Sequence, residues 1–428
     1  MRALISSMRV TLLLLTCLLH SVALSSQRVS KRLKGGQLNN NIDAVLTTLS
    51  AHQAPVADQL KDNDNDKCPS NGMDRRNALI ATGVTALSLW MGIAGKALPT
   101  WAETGGFKVS PPKTILVTGC NSGIGFEAAR ILARQGNTII MACRTLAKAQ
   151  EAADKIKAET LDANLIPAEC DLASQASIRD FVKDIKLENL DVVCYNAGVA
   201  LNTDDPEIQR TKEGFELTVG TNHLGHFYLQ SLLLPKIRPD TGKIVITASA
   251  VHDPDSPGGA QGKLATLGNL EGFIRQGKNF EMVDGQSYNG DKAYKDSKLC
   301  NVFFCRELQR RLSASDATKG ITVNSFSPGL ITSTGLFRYQ SPLFSSIFGV
   351  LATNVLKVAE SPEWGGAALA YMTTVNTQGE YYNSPPGSSK YGEAAFGREF
   401  SIYAVSKEAQ DDNKGKKLWE LSEKLVGI

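Results

Sequence analysis

The stretch 114–135 reads TILVTGCNSGIGFEAARILARQ, and the order of its three parts decides the fold. Residues 114–117 are an uninterrupted apolar run, as a strand buried on both faces requires. Thr118-Gly119-Cys120-Asn121-Ser122-Gly123-Ile124-Gly125 follows as a glycine-rich turn. Residues 126–135 then carry the period of an amphipathic helix. Strand, glycine turn and helix make the first unit of a dinucleotide-binding fold. Glycine lets the backbone approach a pyrophosphate, and the helix start offers unpaired N–H donors and a positive dipole end. Gly119, Ser122, Gly123, Ile124 and Gly125 are therefore candidate cofactor contacts. The alternative is a plain strand-to-helix turn, and the elements further along the chain speak against it.

Moving outward, residues 138–143 read as a second strand that ends at Arg144, with Lys148 four residues on. An acidic residue at this place would accept a ribose hydroxyl, whereas two cations suit a 2′-phosphate and Arg offers a bidentate fork. The pattern favours NADPH over NADH; the alternative is a solvated basic helix start. Residues 165–170 read as a third strand, with Asp171 as a candidate adenine contact. Residues 191–195 read as a fourth, running into Asn196-Ala197-Gly198. Asn222-His223-Leu224-Gly225-His226 lies in a helical stretch. Residues 243–247 form a fifth strand leading to Ser249, and 321–326 a sixth ending in Ser327-Pro328-Gly329. Strands alternating with helices predict an α/β chain, a Rossmann-type doubly wound parallel sheet with right-handed crossovers. Ligands of such sheets bind beyond the carboxyl ends of the strands, where nearly all these motifs fall.

Tyr294 and Lys298, in KAYKDSKLCN, stand four residues apart and so share one helix face. A Lys ammonium beside a phenol favours its ionised form, which would let Tyr294 exchange a proton near neutral pH. The Ser249 hydroxyl, 45 residues upstream, could hold a substrate oxygen or steady the tyrosine.

Taken in order, these motifs resemble the short-chain dehydrogenase/reductase superfamily over residues 113–329. The resemblance implies a tetrad of Asn222, Ser249, Tyr294 and Lys298, in which Asn222 holds a water linking Lys298 to solvent. It also implies that Asn196 and Gly198 border the cofactor and that Pro328-Gly329 lies by the nicotinamide. Most members place the serine about a dozen residues before the tyrosine; here a long insertion containing LGNLEGFIRQGKNFEMVDGQ intervenes before the Tyr294 helix. With GTNHLGHF, KAYKDSKLCNV, TGLFR and the terminal LWELSEKLVGI, the chain resembles light-dependent protochlorophyllide oxidoreductases over residues 113–428, least between 339 and 412. That narrower resemblance implies reduction of one ring double bond of a tetrapyrrole pigment. NADPH would deliver the hydride, Tyr294 the proton, and light absorbed by the pigment would drive the step. Two positions depart from it: where that family has Tyr-Pro-Gly-Cys, this chain has Ser327-Pro328-Gly329-Leu330. Leu330 has no thiol and Ser327 no aromatic face, which bears on the pigment's pose, rate of conversion or identity. Asn-Ala-Gly at 196–198 follows the general superfamily more than the narrower family.

The chain has 428 residues, 42% hydrophobic and 21% charged, ordinary for a globular protein. A net charge of +3, without a basic run interleaved with aromatics, gives no footprint for nucleic acid. There is no internal repeat. The eight cysteines form no C-x-x-C pair and the five histidines no ligand spacing, so no metal site is expected. The cysteines read as buried reduced thiols. His223 and His226 read as helix-packing or surface residues rather than ligands.

The first hundred or so residues do not look like a core. Residues 1–25, with Arg2, Arg9 and an apolar run, read as a signal peptide. Residues 26–104 read as a transit and linker region, basic at first, then polar and expected to be disordered over 53–74. Within it lies a twin-arginine apolar segment, 75–98, whose uncharged run 77–95 suits either a cleavable thylakoid-type signal or a membrane anchor. A signal followed by a transit-like stretch points to a plastid (chloroplast) enclosed by extra membranes, with thylakoid association; the alternative is a secreted protein with two unrelated apolar segments. Residues 105–428 form the NADPH-binding reductase domain, a single catalytic domain. Its apolar run 341–356 could be core, a lid over a flat pigment, a membrane contact or a homo-oligomer interface. Residues 414–426 read as a last amphipathic helix.

The reading that results is an NADPH-dependent reductase of protochlorophyllide. Its rivals are a light-independent reductase or dehydrogenase of a retinoid- or carotenoid-like carbonyl or alcohol, and a non-catalytic pigment or NADPH carrier. The carrier would have no use for a proton relay at Ser249, Tyr294 and Lys298.

Overall fold

The computed structural model describes residues 111–186, 188–201, 207–331 and 359–428. Among these, β1 (Thr114–Thr118), β2 (Thr138–Cys143), β3 (Asn164–Glu169), β4 (Val192–Tyr195), β5 (Lys243–Thr247), β6 (Thr322–Ser327), β7 (Tyr381–Asn383) and β8 (Ser401–Ile402) form one sheet in the order 3-2-1-4-5-6-7-8. Every pairing is parallel except β7 with β8, so the doubly wound parallel sheet read from the sequence is present. The strand order reverses between β1 and β4, and a crevice opens at such a switch point.

Alternation along the strands feeds two cores. Leu116 and Ile140 point to one face with Phe181, Phe227, Phe304 and Leu418. Ile115, Val117, Ile139 and Met141 point to the other with Ala128, Leu132 and Trp364. Both faces are covered, which is why the strands read as continuous apolar runs. The first face carries α3 (Gln175–Asp184), α4 (His226–Leu233), α6 (Gly290–Ser313) and α8 (Asp412–Val426); the second carries α1 (Gly123–Arg134), α2 (Leu146–Glu159) and α7 (Pro362–Met372). A short α5 (Glu271–Gln276) lies in the insertion ahead of α6.

The third and sixth strands are shifted by one residue from the sequence reading, starting at Asn164 and ending at Ser327 respectively. The pair β7–β8 and helix α7 were not read at all. Strands of three and two residues are too short to show a period. Helix α7 hides its amphipathicity, because nearly all of it is buried: Gly366 lies so close to α1 that a Cβ there would come 2.4 Å from Glu127 Cβ. The expected last helix is found, with Leu418 and Leu425 buried. The expected signal peptide, linker region, twin-arginine segment and the apolar run 341–356 lie outside the described residues, as do Cys17 and Cys68. Among the described residues, no helix is long and apolar enough to cross a membrane.

Candidate active site

The glycine turn joins β1 to α1 at the carboxyl edge of the sheet. Gly119 adopts φ +67°, and a Cβ on it would come 2.7 Å from Ala197 Cα, so glycine is required on both counts. Its N–H donates to Ala142 O at 2.8 Å, extending the β1–β2 ladder into the turn. Ser122, the N-cap of α1, makes no side-chain cap bond, and the first turn of α1 holds no acid. The N–H groups at Gly123, Ile124 and Gly125 thus start a helix whose own sequence does not neutralise its positive end. This end suits an anionic pyrophosphate.

Around the turn, Thr118 is the organiser. Its Oγ1 accepts from Asn196 N at 2.9 Å and from Ala197 N at 3.0 Å, and Asn196 Nδ2 returns a bond to Thr118 O at 3.0 Å. Arg144 and Lys148 are exposed at the end of β2 and the start of α2, with no ion-pair partner among the described residues. Between them Thr145 Oγ1 caps α2 by accepting from Lys148 N. Glu169, which pairs with Cys143 across the sheet, accepts from Leu146 N at 3.1 Å, so an acid also borders this corner. Asp171 is tied into the turn before α3, accepting from Ala173 N at 3.1 Å.

Four candidate residues converge at the ends of β4 and β5 and on α6. Lys298 is 4% exposed; its Nζ lies 5.5 Å from the Tyr294 ring centroid and donates to Thr247 O at 3.2 Å. Tyr294 hydrogen-bonds to Ser249. Gly198 sits where a Cβ would come 3.3 Å from Asn222 Oδ1 and 3.6 Å from Lys298 Nζ. Asn222 lies in a π-helical turn, Gly220–Gly225, that precedes α4. Such bulges re-aim a residue within a helix. Its side chain is engaged: Oδ1 accepts from Val199 N at 2.8 Å, and Nδ2 donates to Val199 O at 3.0 Å and Ser297 Oγ at 2.9 Å. Oδ1 keeps a second lone pair for a further donor, while the carbonyl of Asn222 already accepts from His226 Nδ1 at 3.0 Å.

One expectation needs correction. The lysine does not make the phenol acidic in this structure. Burial pushes the Tyr294 phenol well above the ordinary range, with the Ser249 hydrogen bond opposing. Burial also pushes Lys298 down to about 8. Two groups withdrawn from water both favour their neutral forms, and here desolvation outweighs the proximity of the ammonium. Tyr294 thus keeps its proton at neutral pH, the state of a donor.

The sequence reading gave no site role to three residues, His226 having been read as a packing or surface residue. His226, 1% exposed, donates from Nδ1 to Asn222 O at 3.0 Å, which leaves Nε2 to accept from the Thr118 hydroxyl at 3.0 Å. Burial, opposed by the hydrogen bond to Asn222 O and aided to a lesser degree by the Lys298 charge, holds it down to about 4. It joins the glycine turn to Asn222, and the i, i+4 spacing from Asn222 was the signal that pointed to it. Asn301, three residues past Lys298, donates to the same Thr247 carbonyl at 3.2 Å. Glu360, 3% exposed, packs against Gly329 of the Pro328-Gly329 turn, where burial raises its carboxyl. Nothing near it in the sequence marks Glu360. Leu330 is partly exposed and its carbonyl accepts from Glu360 N at 2.7 Å. Ser327 is buried and Ser327 Oγ accepts from Ala250 N at 3.1 Å. His223, like His226, is buried in packing. The six described cysteines are buried free thiols, and Cys120 Sγ lies 3.7 Å from Cys143 Sγ. Among the described residues no cluster of His, Cys, Asp or Glu could hold a metal ion.

Comparison with known proteins agrees with this architecture. A family model described as short chain dehydrogenase matches residues 113–261. Protochlorophyllide reductase of Chlamydomonas reinhardtii is 38% identical over 326 residues, covering 74% of this chain and 78% of that protein. That of Marchantia paleacea is 36% identical over 75% of this chain and 69% of its own length. Protochlorophyllide reductase B of Hordeum vulgare is 33% identical over 85% and 91%. Among solved structures, an uncharacterized protein from Mycobacterium Paratuberculosis superposes with a TM-score of 0.51 at 28% identity, over 74% of this chain and 94% of that one. With its doubly wound sheet, glycine turn and Ser–Tyr–Lys grouping, the chain is an oxidoreductase and belongs to the protochlorophyllide reductases of the short-chain dehydrogenase superfamily.

Proposed function

We propose that the protein reduces a ring double bond of protochlorophyllide with NADPH, driven by light, in a plastid. The observation that carries this reading is the grouping of Tyr294 with Ser249 and with Lys298 Nζ, 5.5 Å from its ring, beside the dinucleotide turn. The relatives' names supply the substrate class, and those of Chlamydomonas and Marchantia are named chloroplastic, which supports the plastid. Thylakoid association is proposed from the segment 77–95 and rests on its sequence alone.

The residues fit the cofactor. The open start of α1 suits the pyrophosphate, and Asn196 and Gly198 line the way towards Lys298. Arg144 and Lys148 offer charge to a 2′-phosphate. NADPH, when bound, supplies the hydride. Tyr294 Oη then gives its proton to the neighbouring carbon, with Ser249 Oγ steadying the phenol through their hydrogen bond. A developing phenolate is stabilised by the Lys298 ammonium, which is mostly charged below about pH 8. Lys298 is held in place through Thr247 O, and Asn222, across Gly198 from Lys298 Nζ, is the residue that would hold a relay water.

Leu330, in place of the cysteine of the resembling family, favours one second reading: the same residues serving a light-independent carbonyl reduction. The full chain with NADPH and protochlorophyllide, kept dark and then illuminated, separates the two by absorption spectra. A new long-wavelength product band only after light is expected. Turnover in the dark would remove the light requirement, and no pigment binding would remove the tetrapyrrole. Tyr294→Phe, which keeps the ring, should lower turnover about 10²–10⁴-fold with NADPH affinity nearly unchanged. Near-normal turnover would assign the proton to another donor.

A further inference from the structure

Ser249 is held from a direction that the family motif does not specify. It leads into a 3-10 turn, Ala250–His252, at the end of β5. His252, 1% exposed, bonds through Nδ1 to Ser249 O at 2.8 Å, while its Nε2 faces Ser406 N at 3.2 Å. A backbone N–H can only donate, so Nε2 is the unprotonated nitrogen and Nδ1 carries the hydrogen. Both ring nitrogens are thus satisfied in the neutral state, and burial favours that state. The ring is fixed sideways by Tyr381, edge-on at a centroid distance of 4.9 Å. Tyr381 also hydrogen-bonds to Ser327, and Ser327 Oγ accepts from Ala250 N at 3.1 Å. The residue on each side of the Ser249–Ala250 peptide is therefore gripped by a buried side chain. Ser406 and Tyr381 both lie beyond residues 113–261, the span matched by the short-chain dehydrogenase model.

We infer that His252 is a positioning residue: it carries the hold of the C-terminal segment at Ser406 onto the Ser249 backbone, and so sets the Ser249 hydroxyl against Tyr294. The inference rests on Ser249 taking part in the proton transfer proposed above. Without His252 Nδ1, the Ser249 carbonyl is left with the His252 backbone N–H at 3.1 Å, and Ser249 Oγ with the long bond from Val251 N at 3.4 Å, so the turn is held less firmly and the hydroxyl can shift against the phenol.

The test uses the full chain and separates the two arms of the ring. In His252→Asn the amide can still reach Ser249 O, as Nδ1 does. In His252→Gln the longer amide reaches towards Ser406 and loses Ser249. His252→Gln should lower kcat for illuminated protochlorophyllide about tenfold, as expected for one lost buried hydrogen bond, with KM for NADPH unchanged. His252→Asn should recover most of the rate. In a Ser249→Ala background the Gln variant should cost nothing further, because the residue acts through Ser249. Equal losses for Asn and Gln, or losses that multiply with Ser249→Ala, would overturn the inference in favour of plain packing. A second readout needs no substrate: the ¹³Cζ resonance of labelled Tyr294, identified by its disappearance in Tyr294→Phe. It should move in His252→Gln as it moves in Ser249→Ala, and stay in His252→Asn. If wild type converts no protochlorophyllide, the functional reading fails while this resonance still decides the role of His252; an unmoved resonance in His252→Gln rejects it.

Discussion

The turn at 118–125 and the insertion between Ser249 and α6 both end in the same site, yet they are built by opposite means. The turn is local. Eight residues, a positive φ at Gly119 and a helix start give it its shape, with Thr118 fastening it to the end of β4. The insertion has little regular structure of its own beyond α5 and short 3-10 turns. It is fastened to α6 by a buried charge cluster. Lys292 Nζ reaches Asp284 at 2.9 Å, Asp296 at 2.5 Å and Thr266 O at 2.8 Å, and Asp296 Oδ1 accepts from Thr266 N at 3.0 Å. Lys295 Nζ binds Gln261 O and Lys263 O, and Leu267 N donates to Glu408 far along the chain. The lesson is that a spacing of 45 residues between Ser249 and Tyr294 says little about their distance. The end of β5 and the face of α6 set it, and buried ion pairs keep the intervening chain out of the way.

The largest effect that could break this contrast lies at Lys292. Lys292→Met would leave the Asp284 and Asp296 carboxylates buried without a counter-charge, and unpairing of that kind costs about 3–5 kcal/mol. Urea unfolding should show a midpoint lowered accordingly, whereas Lys295→Met, whose partner Asp291 is far more exposed, should cost much less. A Lys292→Met protein as stable as wild type would mean that apolar packing, not charge, fastens the insertion.

A middle-sized effect concerns His223, in the π-helical turn that carries Asn222. His223 is buried; Ser422 Oγ donates to Leu418 O at 2.7 Å, so His223 Nε2 is the donor to Ser422 Oγ at 3.0 Å. Burial holds its imidazole down to about 3, against an ordinary 6.5. Between those values the unfolded chain takes up a proton that the folded chain refuses. Stability from this residue is therefore complete above the ordinary pKa and declines as pH falls towards the folded one. The loss is about 2 kcal/mol by pH 5. His223→Gln should lose about that much less than wild type in urea titrations at pH 7 and pH 5. Equal losses in both proteins would show that the imidazole is not kept neutral by its packing.

The smallest effect sharpens the cofactor half. Replacing Arg144 and Lys148 by Ala should weaken NADPH binding roughly tenfold or more while leaving NADH nearly unchanged, since charged hydrogen bonds contribute about 1.5–3 kcal/mol. Equal weakening of both, measured by fluorescence titration, would remove the 2′-phosphate assignment and draw attention to Glu169 on the neighbouring strand.

Most of the first region was legible in advance. β2 and β5 fall at the residues read from the sequence, and β1 extends only one residue further. A parallel strand covered on both faces must be apolar throughout, and a glycine turn into a helix has few other uses. Tyr294 and Lys298 were legible because their helical spacing follows the nucleotide-binding pattern in the right order; the spacing alone is weak. The protonation of Tyr294 was not, because it depends on how much water the fold removes from phenol and ammonium together. The short β7–β8 pair escaped because two or three residues show no period, and α7 escaped because it is buried nearly all round.

The sequence by itself determined the doubly wound parallel sheet and the glycine turn, and brought forward Ser249, Tyr294 and Lys298 as candidates for proton transfer, since each depends on residue type and near-neighbour spacing; the strand order came from the fold. Tertiary structure decided that His226 bridges Thr118 to Asn222, that His252 grips Ser249 from Ser406, and that Lys292 anchors the insertion. Those contacts join residues from 3 to 154 positions apart. The longest span separations over which no sequence period extends. They persist because each buried polar group must find its partner wherever the packed chain brings one.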